Sequence, residues 1–175
     1  MKNLLLAILM ITGIQAIAQK TYKISTDEKT GFLVFKGPIT FGDLLNEPSF
    51  KWFKESLADY KPDNHDMRFL ADNLPKYRIV VFMGTWCDDS HYLVPKFYHL
   101  LEQTNFPIVK VALYGVDRNK EALGDEKARY KIDKVPTIIL YRDEEEAGRI
   151  TETVSKSIEY DLSEIVKQDI RKKNQ

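Results

Sequence analysis

The chain has 175 residues, with 26 Lys plus Arg set against 26 Asp plus Glu. That balance excludes the basic footprint of a nucleic-acid binder, and the length fits one folded unit. A single cysteine excludes a disulfide framework and any internal dithiol pair.

Residues 1–18 stand apart from the rest. Lys2 supplies a positive start, Leu4 to Ile14 form an apolar run, and Ala16-Ile17-Ala18 offers the small-residue pattern of a processing site. The expectation is a cleaved secretory signal, with an uncleaved anchor as the alternative, and hence an exported protein, periplasmic or secreted. The run is short of the roughly 20 apolar residues that span a bilayer, so no stable membrane insertion is expected once the signal is removed. No cysteine lies near the processing site to carry a lipid.

Residues 19–62 read as an N-terminal extension. Gly31 to Lys36 suggests a short strand, and Pro48 to Tyr60 an amphipathic helix with Trp52, Phe53 and Leu57 inward. Lys61-Pro62-Asp63-Asn64 is a turn cluster that ends the extension. Beyond it, residues 63–175 carry alternating strand and helix patterns. Met67 to Leu74 suggests a helix, and Arg78 to Met83 is a continuous apolar run typical of a strand buried on both faces. Leu93, Val94, Phe97, Leu100 and Leu101 recur at helical spacing, and Ile108 to Tyr114 reads as the next strand. This is a βαβ unit, which makes its two strands parallel and opens the helix at the carboxyl end of the first. A helix over Lys120 to Tyr130, strands at Val135 to Tyr141 and Arg149 to Val154, and a hairpin turn at Glu144-Glu145-Glu146 follow. The last helix buries Ile158, Leu162, Ile165, Val166 and Ile170, with Ser157 as its N-cap.

The stretch Trp86-Cys87-Asp88-Asp89-Ser90 falls at the junction of the first βαβ strand and its helix. A thiol there meets unpaired backbone N–H groups and the positive end of the helix dipole, which favour the reactive thiolate. The bland alternative is a small buried hydrophobe, as most free cysteines are. Asp88 and Asp89 suit a helix start but oppose a nearby thiolate. Ser90 reads either as an ordinary first-turn residue or as a hydroxyl donor to the sulfur. His91, four residues after Cys87, shares its helix face and is the local candidate for proton handling, against the reading of a solvated surface imidazole. A metal site built on Cys87, His91 and either His65 or His99 lacks any recognisable ligand spacing, so no metal is expected.

Three features in register resemble the thioredoxin superfamily: Trp86-Cys87 after an apolar strand, Pro95 eight residues beyond the cysteine, and Val135-Pro136-Thr137, which is similar to that family's cis-proline loop. A mid-helix proline otherwise costs about 3 kcal/mol. The resemblance, over residues 66–170, implies an α/β thioredoxin-like fold, a central mixed sheet flanked by helices with an N-terminal extension. It also implies a substrate-docking rim of Trp86, Val135, Pro136 and Thr137 beside the thiol. The chain departs from the family where Ser90 replaces the resolving cysteine, where Val81 stands at the place of a buried carboxylate, and where no glycine follows the last strand near Val154-Ser155. The peroxiredoxin pattern of proline and threonine before the cysteine is absent.

The expected function is monothiol exchange: Cys87 attacks a disulfide, Ser90 supports the sulfur, His91 handles the proton, and an outside thiol resolves the adduct. The partners are protein or low-molecular-weight thiols and disulfides, with no nucleic acid and no dissociable cofactor. The rival reading is a non-redox peptide-binding or chaperone-like module on the same fold.

Overall fold

The computed structural model describes residues 21–175 apart from Asp59, so the expected signal at residues 1–18 lies outside the described residues. Six strands, β1 (Lys23–Thr26), β2 (Leu33–Ile39), β3 (Arg78–Met83), β4 (Val111–Gly115), β5 (Thr137–Arg142) and β6 (Glu145–Thr151), form one mixed sheet in the order β1-β2-β4-β3-β5-β6. Among the described residues only β3 and β4 run parallel; every other pair is antiparallel. The helices are α1 (Phe41–Asn46), α2 (Lys51–Ala58), α3 (Asn64–Asn73), α4 (Asp88–Gln103), α5 (Glu126–Tyr130) and α6 (Ile158–Lys173). None of them is long and apolar enough to cross a membrane.

The pleat divides the central strand between two cores. Ile79, Val81 and Met83 of β3 enter the larger one, against α2, α3, α4 and α6, while Val80 and Phe82 enter a smaller one with Val116, Ile132, Val135 and Ile139. The apolar run therefore serves both faces. Pro95 sits buried inside α4, and the β3–α4–β4 crossover delivers the start of that helix to the carboxyl edge of the parallel pair.

The N-terminal extension joins the sheet. β2 pairs with β4 through Gly37 and Gly115, Pro38 and Tyr114, and Ile39 and Leu113. Their approach is so close that a Cβ on Gly115 would lie 2.0 Å from the Phe35 carbonyl oxygen. The expected strand and helix are present in shifted form, with β1 and α1 in addition. β1 is exposed along its whole length, so it carries no alternation to read, and α1 is a six-residue helix set by a capping box between Thr40 and Asp43. Of the three residues expected to face inward on α2, only Phe53 is fully buried; Trp52 and Leu57 are partly covered.

Three further elements differ from expectation for physical reasons. Ile108–Lys110 is a 3-10 turn after Pro107, with Val109 95% exposed, and the strand begins only at Val111. The helix expected over Lys120 to Tyr130 shortens to α5, because the Asp117 carboxylate accepts the backbone N–H groups of Asn119 and Glu121 and holds that stretch as a loop. The β5–β6 turn is Asp143-Glu144, both at positive φ, which leaves Glu145 and Glu146 within β6. Helix α6 forms as the pattern requires, with the Ser157 hydroxyl accepting the Tyr160 N–H.

Candidate functional site

Four residues connect β3 to α4. The Cys87 N–H donates to the Gly84 carbonyl at 3.0 Å, closing the turn, and the His91 N–H donates to the Cys87 carbonyl at 3.0 Å, opening the helix. Cys87 is thus the N-cap of α4, in extended backbone, with a side chain that makes no capping bond. The sulfur stays available beside the first turn, half-buried, with Asp88 and Asp89 exposed next to it. Its S–H donates to the Val135 carbonyl at 3.4 Å, so the structure brings Cys87 and the Val135-Pro136 loop together. The Val135–Pro136 peptide bond is cis.

The other expected site residues take distinct places. Trp86 is half-buried, its indole N–H donating to the Val116 carbonyl at 2.8 Å. Gly84 leaves room for that ring: a Cβ there would come within 2.6 Å of it. Ser90 is fully buried, and its hydroxyl oxygen accepts the Gly84 N–H at 3.2 Å. Its oxygen takes part in the turn beneath the cysteine, the structural one of the two roles expected of it. Val135, Pro136 and Thr137 are all buried. Thr137 donates its hydroxyl to the Lys134 carbonyl at 2.7 Å, and the Pro136 carbonyl accepts the Glu152 N–H at 2.7 Å. These three side chains are covered, and the Val135 carbonyl is the group that meets the sulfur.

His91 is turned into the fold. Its Nε2 lies 2.8 Å from the Thr85 carbonyl, its ring stacks on Trp52 with centroids 3.9 Å apart, and Phe32 lies 5.9 Å away. Facing a carbonyl, Nε2 carries the hydrogen of a neutral imidazole. Burial pushes its pKa below the ordinary value, and the Thr85 carbonyl and the Asp88 charge offset this only in part. The shared helix face was legible in the sequence; the aromatic cover from the extension, which occupies the ring, was not.

Sequence reasoning missed two residues at the site. The Arg118 guanidinium carbon lies 4.5 Å from the centre of the Trp86 ring. Its Nε and Nη2 donate to the two oxygens of the Asp27 carboxylate at 2.6 and 2.8 Å. Hydrogen bonding to Arg118 holds Asp27 far below the usual carboxylate range despite its burial. Arg118 is pushed up by Asp27, which accepts its hydrogen bonds and faces it with the opposite charge. These partners are 91 residues apart in the chain, and no local pattern joins them.

Among the described residues, the metal-ligand atoms of Asp63, His65 and Asp66 lie within 4.8 Å of one another. Asp63 is already the N-cap of α3, accepting the N–H groups of His65 and Asp66, and Asp66 lies 3.6 Å from the Lys167 ammonium. That cluster serves the helix start, and neither Cys87 nor His91 belongs to it.

The thioredoxin family model matches residues 58–167. The chain belongs to the thioredoxin family. The match starts near the end of α2, so β1, β2 and α1 precede the family region. A protein of unknown function from Pseudomonas aeruginosa shares the fold at TM-score 0.51 and 14% identity, over 77% of this chain and 89% of its own. Thioredoxin from Fasciola hepatica aligns at 21% identity and TM-score 0.38, over 58% of this chain and 88% of its own. No curated protein matches the sequence. Within the thioredoxin fold, the cysteine, the tryptophan before it and the proline loop of this family member meet at the carboxyl edge of β3.

Proposed function

We propose that this thioredoxin-family protein is exported and performs monothiol thiol–disulfide exchange through Cys87. The observation that carries the reading is the cysteine at the N-cap of α4, its side chain free of capping bonds and its sulfur against the Val135 carbonyl of the proline loop. A thiolate at that position attacks one sulfur of a partner disulfide. The Cys87 Sγ–sulfur bond forms, the partner's own S–S bond breaks, and its second sulfur leaves as a thiolate. With Ser90 in place of a second cysteine, an outside thiol attacks the adduct and restores Cys87. The protein ends each cycle in the state in which it began, which suits rearrangement of disulfides better than net oxidation. With the His91 ring facing the Thr85 carbonyl, the protons pass between the two partners and water.

Replacing Cys87 by Ser tests the reading. Loss of exchange with a model disulfide and loss of mixed-disulfide adducts, with the fold intact, are the expected results. Exchange that persists in the variant rules out Cys87 as nucleophile. A wild-type thiol that forms no adduct, together with peptide binding unchanged in the variant, transfers the assignment to a non-redox binding module.

A further inference from the structure

The first hairpin grips the thiol loop at two adjacent points. Thr85 donates its hydroxyl to the Leu33 carbonyl at 2.7 Å and accepts the Phe35 N–H at 3.1 Å, which ties β2 to the residue before Trp86. In the loop after β1, the buried Asp27 carboxylate accepts the Thr30 N–H and hydroxyl at 2.9 and 2.7 Å as well as both donors of Arg118. That two-donor contact fixes the plane of the guanidinium over the Trp86 ring, while the Val116 carbonyl holds the indole edge. The pair is half-buried, Asp27 covered and the Arg118 side chain 36% exposed, and what its two-donor geometry adds is the choice of one arrangement.

We propose that Asp27 and Arg118 are positioning residues of the thiol site, which set the Trp86 ring as the wall against which an extended peptide docks beside Cys87. The first hairpin is then a working part of the site. This rests on the reading of Cys87 as an exchange nucleophile. Arg118 acts through Trp86, and Asp27 acts through Arg118. Lysine at position 118 would keep the charge but offers neither the flat guanidinium nor the two-donor edge.

Two probes with the same leaving group separate docking from reactivity in the full chain. One is dithiodipyridine, a small neutral disulfide. The other is a short uncharged peptide whose cysteine carries a thiopyridyl group. In both, the Cys87 sulfur bonds to the attacked sulfur and expels thiopyridone, whose absorbance gives the rate, so no further oxidant or reductant is consumed. The ratio of the peptide rate to the small-probe rate divides out changes in the sulfur's own reactivity. Arg118→Ala is expected to lower that ratio roughly tenfold, within the range small misplacements of a positioned group produce. Arg118→Lys and Asp27→Asn, the latter keeping shape and polarity in the buried loop, are expected to lower it to a similar extent. The double variant should fall no further than either single one, as coupled residues do. A ratio unchanged in Arg118→Ala and Asp27→Asn, or fully restored in Arg118→Lys, overturns the proposal while leaving exchange intact. A wild-type protein that reacts with neither probe overturns the exchange reading, and this proposal with it.

Discussion

At the scale of single residues, the site is built from side chains whose polar atoms have fixed tasks. Ser90 occupies the position a resolving cysteine would take, yet its oxygen holds the Gly84 N–H inside the turn. Changing Ser90 to Ala leaves that buried N–H without its partner, a loss of about 1–3 kcal/mol. The expected outcome is a lower urea midpoint with the adduct at Cys87 still forming, checked by denaturation and mass spectrometry on the same preparation. A variant of wild-type stability that no longer reacts would instead make the hydroxyl a chemical participant. The nucleophile, the tryptophan and the proline loop were legible in the sequence because each belongs to a short motif in a fixed register. Asp27 and Arg118 were not, since a loop aspartate and a loop arginine carry no pattern until the chain folds and brings them within 2.6 Å.

At the scale of elements, patterning read β3, α4 and α6 well, because apolar periodicity there matches burial on a known face. It read the short elements poorly. β1 is exposed throughout, and the stretch before α5 has polar side chains that bond their own backbone in place of a helix. The β2–β4 contact shows how an element outside the family region is fastened. Gly115 admits the Phe35 carbonyl where no Cβ fits, so Gly115→Ala must push β2 away from β4. The expected cost is at least about 2 kcal/mol, typical of a forced fit in a packed interior. Hydrogen exchange should show the loss first at the amides of β2. Uniform protection with an unchanged midpoint would mean that the strands shift at no cost.

At the scale of the whole molecule, stability is coupled to the protonation of His91. Its pKa in the folded protein lies below the ordinary 6.5, so between those two values the unfolded chain binds more protons than the folded one. Stability therefore rises with pH across that window, is complete above 6.5, and is lost as the pH falls. The expected result is a urea midpoint that drops between neutral pH and the onset of carboxylate titration, with a flatter profile in His91→Gln. Equal slopes in the two proteins would show that the imidazole, although stacked on Trp52, does not govern the acid side of the stability curve.

The sheet ends at β1 on one side and β6 on the other, and neither margin has a strand beyond it among the described residues. A chain with no net charge gains no long-range repulsion to keep its copies apart in a crowded solution. Colloidal behaviour then falls to local features. β1 has only four residues and begins at Lys23, whereas β6 carries Glu145, Glu146 and Arg149 along its length. Shortness on one flank and charge on the other are both established guards against edge-to-edge stacking into fibres.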